Sequence, residues 1–386
     1  MRKEVPPLLG VALILIALAA AQLLYWRALM TDKKLLSPGG GRGGGTGAEA
    51  DLPGGLPDVT VDTVAGQGDP GYRDGSALNA LFDGPAALAL APDGAVYVAD
   101  SRNHVIRMVS PGGQVSTVAG GPGEPGCADG SRAEARFSAP AGVVVGPDGS
   151  LFVADTGNHR IRRIDRDGTV YTYAGAMTPT DDLGREVGGY LDGPAAQAQF
   201  RYPVGLAIDL AGSVYVADAG NRCVRRISPG GEVATLAVEG KDSLQSPTGV
   251  CLTSDGRIWV ADTSGHRLWN GPKGGPLAPW PGNATDAGKG FAPADIAALR
   301  EASSQECVYV GDSAAGGLWR IDSGRLTLIA GQPEAGVSFQ DGAGDVATFN
   351  CPAGLASGAA SALYVADFGN QRIRRVTLPP APKEKD

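Results

Sequence analysis

The stretch from Leu363 to Arg375, Leu-Tyr-Val-Ala-Asp-Phe-Gly-Asn-Gln-Arg-Ile-Arg-Arg, is one copy of a unit that this chain repeats. In each copy a short apolar run ends in an aspartate, and the six aspartates are Asp100, Asp155, Asp218, Asp262, Asp312 and Asp367. A repeat of this length is one supersecondary unit, which buries its apolar faces only against neighbouring copies. The repetition therefore decides the fold, and any functional site is built on it.

Each copy has the same internal order. A Pro-x-Gly step opens a strand of small residues, as at Pro140 to Val145, and an Asp-Gly turn then predicts a hairpin. The run that ends in the aspartate is apolar at nearly every position, so we expect both of its faces to be buried. A third strand alternates Ile with Arg, which predicts a half-exposed strand. A Gly-x-Val-x-Thr-x-Ala-Gly strand completes a four-stranded antiparallel unit, which is typical of a β-propeller blade.

The last copy lacks its fourth strand, because it stops at Leu378 before Pro379 and Pro380. The missing strand is found at the other end of the repeat region, where Val61 to Gly66 matches Val115 to Gly120. We therefore predict that the N-terminal segment completes the sixth blade and closes the ring, which removes the open sheet edges. The predicted propeller spans residues 59–378.

These motifs resemble those of NHL-repeat proteins, which form six-bladed β-propellers. The family pattern is Tyr-Val-Ala-Asp, then Asn-His-Arg-Ile, then a closing Ala-Gly strand, and Asn158 to Ile161 carries the second element intact. The resemblance covers residues 59 to 378, and it implies an all-β fold. For function it implies several classes: ligand-binding sensors, interaction platforms, RNA binders and, less often, lyases or lactonases.

The N-terminal region differs from the repeats. Leu8 to Trp26 is an apolar run long enough to span a bilayer. We predict a signal-anchor or transmembrane segment within residues 1–36, a Gly- and Pro-rich flexible linker at 37–58, and a tail at 379–386. A cleaved signal peptide is the alternative, since Ala19-Ala20-Ala21 offers a small-residue site. The expectation is a single-pass membrane protein whose propeller is periplasmic or extracellular.

Charge and cysteine content exclude some functions. The net charge of −8 argues against nucleic acid as a partner, because polyanion binding requires clustered Lys and Arg. The five cysteines show no Cys-x-x-Cys spacing, which argues against a zinc or redox site. No cofactor is predicted.

The three histidines, His104, His159 and His266, each follow a repeat aspartate by four residues. A three-histidine metal site is one interpretation. However, equivalent turns of a six-bladed ring lie about 10 Å apart or more, given a strand spacing of roughly 4.8 Å. Ligands of one zinc ion lie much closer together, at about 2 Å from the metal. We therefore predict a repeat-specific structural role and no metal site.

Four of the loops between blades share the pattern Asp-Gly-x4-Ala-x-Phe-x2-Pro, and they are Asp74 to Pro85, Asp129 to Pro140, Asp192 to Pro203 and Asp341 to Pro352. The fixed spacing predicts an aspartate-capped helical turn that places a phenylalanine over the junction between blades. A calcium loop is excluded, because each loop fixes only one carboxylate. In a meander these inserts lie on the same face as the turns that follow the repeat aspartates, so we expect binding on that face.

Candidate site residues follow from this arrangement. The predicted binding face consists of Arg102, Asn103, His104, Asn158, His159, Asn221, Arg222, His266, Asn370 and Gln371. A second candidate is an axial pocket, because Asp295 replaces the glycine found in most other blades and an irregular stretch with Trp280 precedes it.

Two functions remain open from the sequence. The first is a membrane-tethered, non-catalytic scaffold or ligand sensor that binds a protein or small molecule through its loop-rich face. The alternative is an enzyme of lactonase or lyase type with a metal-dependent axial site. Several carboxylates or imidazoles converging on the axis would favour the enzyme.

Overall fold

The computed structural model describes residue 56 and residues 58–240, 243–282, 291–301, 305–322, 324–333, 338–359 and 361–379. The predicted membrane segment, nearly all of the predicted linker and residues 380–386 lie outside these described residues. Within the described ranges the chain contains β-strands and short 3-10 turns, with no α-helix. None of the helices in this part of the chain is long and apolar enough to cross a bilayer.

The described chain forms six antiparallel sheets arranged in a ring. The innermost strands of the six blades are Pro85–Leu90, Gly142–Val145, Pro203–Ile208, Pro247–Leu252, Pro293–Arg300 and Pro352–Ser357. Each inner strand packs beside the inner strands of both neighbouring blades, so the ring is closed around a central axis. The predicted all-β, six-bladed propeller is confirmed.

The second strands of the blades are Val96–Asp100, Leu151–Asp155, Val214–Asp218, Arg257–Asp262, Glu306–Asp312 and Ala362–Asp367. The third strands are Val105–Val109, Arg160–Ile164, Cys223–Ile227, Arg267–Pro272, Gly317–Asp322 and Arg372–Thr377. The outer strands, in the same blade order, are Gln114–Ala119, Val170–Ala174, Glu232–Thr235, Ala278–Pro279, Arg325–Ala330 and Thr60–Ala65. Three inserts add a two-residue fifth strand, at Gly75–Ser76, Gly193–Pro194 and Gly342–Ala343.

Ring closure by the N-terminal strand is confirmed. Thr60–Ala65 pairs antiparallel with Arg372–Thr377, and Thr60 lies opposite Thr377. Ordered contacts begin slightly earlier, within the predicted linker, because the Leu56 amide donates to the Ile329 carbonyl at 3.1 Å. The sixth blade therefore joins the two ends of the repeat region, as expected for a fold that leaves no strand edge open.

The Pro-x-Gly step is explained by close contact around the axis. A Cβ atom built on Gly249 would lie 2.6 Å from the Cα atom of Asp295, and one on Gly354 would lie 2.6 Å from the Ala86 carbonyl oxygen. Both neighbours belong to the inner strand of the next blade. Only glycine allows the backbones to approach this closely without displacing a blade.

The inserts place their phenylalanines as predicted. The four side chains are at most 1% exposed, and each packs in a cluster shared by two consecutive blades; they are Phe82, Phe137, Phe200 and Phe349. The predicted aspartate cap is wrong. The 3-10 turn Ala77–Asn79 is preceded by Ser76 and has no side-chain cap, whereas Asp74 accepts hydrogen bonds from the Arg107 guanidinium and the Thr117 amide of the blade.

Candidate binding surface on the loop-rich face

The turns after the second strands and the inserts between blades meet at one end of the propeller, which we call the loop-rich face. The Asn103 side-chain amide donates to the Gly71 carbonyl at 2.8 Å and to the Asp100 carboxylate at 2.8 Å. Equivalent bonds to an insert carbonyl are made by Asn158, Asn221 and Asn370. These asparagines therefore attach the inserts to the blades, and both amide hydrogens are used within the fold.

The residue after the asparagine position has the left-handed backbone conformation. The φ values are 59° for His104, 56° for His159, 57° for Arg222, 52° for His266 and 56° for Gln371. The asparagines themselves belong to 3-10 turns such as Ser101–Asn103. The left-handed residue ends the turn, and in four of these five blades its side chain is hydrogen-bonded to the backbone of the next blade.

Three of these side chains accept a hydrogen bond from the neighbouring blade. His104 Nδ1 accepts from the Ala139 amide at 3.0 Å, and His159 Nδ1 accepts from the Tyr202 amide at 3.0 Å. These donors precede the first proline of the next blade. Gln371 makes the equivalent bond in the sixth blade, where its side-chain oxygen accepts from the Gly84 amide at 2.7 Å. We call these three bonds the inter-blade bonds.

The imidazoles in the inter-blade bonds are neutral at pH 7. Burial lowers the pKa of His104 to about 4, and burial also lowers the pKa of His159. The second ring nitrogen of His159, Nε2, donates to the Glu186 carbonyl at 2.9 Å, which fixes the tautomer. Within the described ranges no group of three or more histidine, cysteine or acidic side chains lies close enough to hold a metal ion.

A second network lies beneath the inserts and was missed by the sequence reasoning. Arg107 is fully buried, and its guanidinium contacts Asp100 at 2.8 Å, Asp74 at 2.6 Å and the ring centre of Phe82 at 5.0 Å. Burial raises the pKa of Asp100 to about 6, although the Arg107 charge and the Asn103 hydrogen bond act in the opposite direction. The third strand is therefore not half exposed as predicted, because its central arginine is part of the core.

The network occurs in four blades, and its fully buried arginines are Arg107, Arg162, Arg225 and Arg374. In the fourth and fifth blades, which lack the Asp-Gly-x4-Ala-x-Phe insert, buried Trp269 and Trp319 occupy the same repeat position. Trp269 Nε1 donates to Asp262 at 3.1 Å. A fixed separation of 33 residues between the insert aspartate and the arginine is the sequence signal that was available for this network.

The predicted binding-face residues differ in accessibility. Asn103, His159, Asn370 and Gln371 are buried, and His104, Asn158 and Asn221 are partly buried. Arg102, Arg222 and His266 are exposed.

The exposed arginines have different surroundings. Arg102 is engaged, with Asp83 at 3.4 Å and the Phe368 ring centre at 4.8 Å. Arg222 and the nearby Arg201 are exposed and belong to no ion pair among the described residues. The third blade therefore presents two guanidinium groups on the loop-rich face that form no ion pair within the described ranges.

The longest of the four patterned inserts adjoins these arginines. Residues 176–202 expose large apolar side chains, including Met177 at 80% and Leu183 at 64%. The insert is braced, since Glu186 pairs with Arg160 at 2.7 Å and accepts from the Thr178 amide at 3.0 Å. Exposed apolar side chains on a braced loop are typical of an interaction surface. Sequence repetition gave no indication of this patch, because it lies in the part of the insert that does not repeat.

The two residues of the predicted axial pocket are not brought together. Asp295 lies on the inner strand of the fifth blade and accepts from the Leu355 amide at 2.8 Å. Trp280 follows the outer strand of the fourth blade, where it packs 6.0 Å from the Trp259 ring. Burial raises the pKa of Asp295 to about 7. Asp295 lies opposite Gly311 in the sheet register, where most other blades pair Gly with Ala, so the missing side chain makes room for the acid.

Comparison with known sequences agrees with this architecture. A family model described as NHL repeat matches residues 82–107, 137–164 and 244–269. The chain carries NHL repeats. NHL repeat-containing protein 2 of Bos taurus is 29% identical over 331 residues, which cover 73% of this chain and 45% of the relative. The chain spans less than half the length of the curated relatives that it matches.

Solved structures similar to this NHL propeller show the same fold. An auxiliary nutrient binding protein from Bacteroides thetaiotaomicron has a TM-score of 0.63 at 15% identity, with 82% of this chain and 76% of that chain covered. A streptogramin B lyase has a TM-score of 0.53 at 13% identity, with coverage of 83% and 98%. At these identities the similarity establishes the fold alone.

Proposed function

We propose that this NHL propeller is a non-catalytic interaction scaffold that binds a protein partner through the third-blade part of its loop-rich face. The observation that carries the proposal is the braced insert at residues 176–202, which exposes Met177 and Leu183 and leads into the blade that carries the exposed Arg201 and Arg222. Exposed apolar side chains on the same face as two exposed arginines suit a partner surface with apolar and acidic groups. Arginine is enriched at such interfaces.

The residues of the inner strands, which line the axis, favour a binding role over the enzyme alternative. Among the described inner strands, Asp295 is the one carboxylate, and its side chain is bonded to the backbone of the next blade. A hydrolase or lyase site requires several converging acid, base or electrophilic groups. The solved neighbours include a protein named for nutrient binding as well as a lyase, so the fold is compatible with both classes.

We also propose that residues 1–36 anchor the protein in the membrane and that the propeller lies outside the cytoplasm. The apolar run at 8–26 supports the anchor. The closing strand begins at Thr60, beside Thr377, which is the end of the third strand remote from the loop-rich face. A linker that enters the propeller at Thr60 would leave the loop-rich face free for a partner.

Site-specific photo-crosslinking in cells tests the binding surface. A photoreactive amino acid at Leu183 is expected to yield a discrete protein adduct. The matched control is Leu210 of the same blade, which is 98% exposed in a turn at the opposite end of the propeller and is expected to give none. Arg201→Glu with Arg222→Glu should reduce the Leu183 adduct at least tenfold, while the melting temperature changes by no more than about 2 °C.

Other outcomes would overturn the proposal. Adducts formed from Leu210 but not from Leu183 would place the partner on the opposite face. A Leu183 adduct that survives both charge reversals would exclude the arginines from the interface. Lactone hydrolysis or lyase activity of the purified protein that Asp295→Asn abolishes would favour the enzyme instead.

A further inference from the structure

A cleft of about 450 Å³ opens between the first and second blades, at the end opposite the loop-rich face. Its turns include Asp93 of the first blade and Gly149 of the second. The walls combine apolar and polar side chains of both blades, and they include Tyr97, Met108, Ser116, Val118, Leu151 and Ile164. The volume is within the range of small-molecule sites.

The repeats explain why a cleft occurs here. Met108 occupies the third-strand position that holds arginine in the second, third, fifth and sixth blades, at Arg163, Arg226, Arg320 and Arg375. In the second blade, the Arg163 guanidinium lies 5.5 Å from the Phe152 ring centre and 5.9 Å from that of Tyr171. Met108 supplies no guanidinium at this position in the first blade. Its cross-strand neighbour is Ser116, whereas the cross-strand neighbour of Arg163 in the second blade is the larger Tyr171. Smaller side chains therefore leave the space between the first two blades unfilled.

Two arginines on the second-blade side of the cleft differ from the residues that several other blades have at the same positions. Arg132 stands where the other three patterned inserts have Ala77, Ala195 and Gly344, and Arg166 stands where the first and third blades have Pro111 and Pro229.

Both guanidinium groups lie against glycine backbone. The Arg132 guanidinium lies over Gly168, and a Cβ atom on Gly149 would lie 2.7 Å from Arg166 Nε. Neither arginine belongs to an ion pair among the described residues, and Arg132 donates only to the Asp167 carbonyl, at 3.3 Å.

The acids of the cleft are partly engaged elsewhere. Asp165 pairs with Arg163 at 2.9 Å, and Asp93 accepts from the Ala95 amide at 3.0 Å within its own turn. Burial and the nearby Asp93 charge raise the pKa of Tyr97, so its phenol is a neutral hydrogen-bond donor at pH 7. The cleft thus has an apolar body, the Tyr97 phenol, the carboxylates of Asp93 and Asp165, and two arginines on one wall that form no ion pair among the described residues.

We propose that this cleft is a second binding site, which takes a small carboxylate with an aryl or short alkyl body. The apolar body would pack against Met108 and Val118, and the carboxylate would lie at Arg132 and Arg166. Planar guanidinium groups bind carboxylates in two-bond geometry, which favours this anion over a neutral analogue. Met108 and Arg132, which differ from the residues at most equivalent repeat positions, line this one cleft together with Ser116 and Arg166.

Calorimetric titration of the full-length protein tests the site with defined probes. 3-Phenylpropionate is expected to bind at least tenfold more tightly than 3-phenylpropan-1-ol, which has the same body without the charge. Inorganic phosphate is expected to give no measurable heat, because it lacks an apolar body. Binding of phosphate as tight as that of 3-phenylpropionate would mean that the arginines hold only surface anions, and this would overturn the proposal.

Two variants locate the binding. Met108→Arg restores the residue of the other blades and should fill the cleft, with a loss of affinity of at least tenfold. Arg132→Ala with Arg166→Ala should cause a similar loss without altering the apolar wall. Arg300→Ala, an exposed arginine of the fifth blade, is the matched control and should leave affinity unchanged. Undiminished binding in the double variant, or no binding of 3-phenylpropionate to the wild-type protein, would refute the site.

Discussion

At the scale of single residues, one backbone position shows how the repeats are used. The left-handed residue after each 3-10 turn is His104, His159 or Gln371 in three blades, and each accepts an amide hydrogen bond from the next blade. In these three blades either an imidazole nitrogen or an amide oxygen serves as the acceptor, so the bond does not require the ring. Because imidazole accepts at Nδ1 only when it is neutral there, two of the three inter-blade bonds depend on pH.

His104→Gln isolates that dependence, since Gln371 already makes the same bond from the same backbone conformation. The pKa of His104 in the folded protein, about 4, is below the ordinary imidazole value. The unfolded chain therefore takes up a proton first, and stability present above pH 6.5 is lost as the pH falls toward 4. We expect the variant to match the wild type at pH 7 and to retain about 1–2 kcal/mol more unfolding free energy at pH 5.

Urea unfolding at pH 7 and pH 5 measures this difference. The buried aspartates Asp100, Asp155 and Asp218, with pKa values raised to about 6, act with the opposite sign, so only the comparison of variant with wild type is informative. His104→Ala is the control, because it leaves the Ala139 amide without an acceptor and should lose about 1 kcal/mol or more at both pH values. Parallel pH profiles for wild type and His104→Gln would show that His104 does not titrate in this range.

At the scale of elements, the inserts and the closing strand bind the blades to one another. Where an insert supplies Asp and Phe, the third strand supplies a buried Arg, and where the insert lacks them the third strand supplies Trp. A buried guanidinium without its carboxylates would be strongly destabilising, so the insert and the arginine occur together. The closing strand Thr60–Ala65 likewise connects the first and last parts of the propeller, because it pairs with Arg372–Thr377 at the other end of the repeat region in sequence.

Removal of the closing strand is expected to open the sixth blade. A protein truncated before Gln67 should melt at least 10 °C below one truncated before Leu56, because it loses the outer strand and exposes the edge of Arg372–Thr377. Differential scanning calorimetry compares the two. A peptide of residues 56–66 added in trans should recover part of the loss. Equal melting temperatures would mean that the strand contributes little to ring closure.

At the scale of the whole molecule, the direction of the strands separates two ends with different chemistry. The loop-rich face carries the inserts, including the exposed apolar side chains of residues 176–202. The opposite end carries the start of the first strand at Thr60, the end of the last strand at Thr377 and the cleft between the first two blades.

Membrane anchoring is tested on the full chain and on the truncation before Leu56. We expect the full chain to stay with the membrane fraction after alkaline washing and the truncated protein to be released, since the apolar run at 8–26 is absent from it. External protease added to spheroplasts should cleave the full-length propeller. Protection of the propeller, or release of the full chain by washing, would contradict the proposed location.

The sequence alone was enough to predict the fold, because the repeated motifs mark each blade and its strands. Six aspartate-ended strands, the hairpin turns and the match between Val61 to Gly66 and Val115 to Gly120 were enough to predict six blades and their closure. These features are local or periodic, so a single chain reveals them without coordinates. The buried arginine network was also within reach, through its constant spacing, but alternation of Ile and Arg was interpreted as partial exposure.

Only the tertiary structure decided which of the candidate surface residues are available. His159 and Gln371 were predicted on an open face, yet each is buried against the next blade, because the left-handed backbone turns the side chain across the junction. Asp295 and Trp280 are close in the chain but lie at the inner and outer edges of consecutive blades. The exposed insert patch and the cleft beside Met108 depend on which blades face each other, and that relation becomes visible only when the ring is closed.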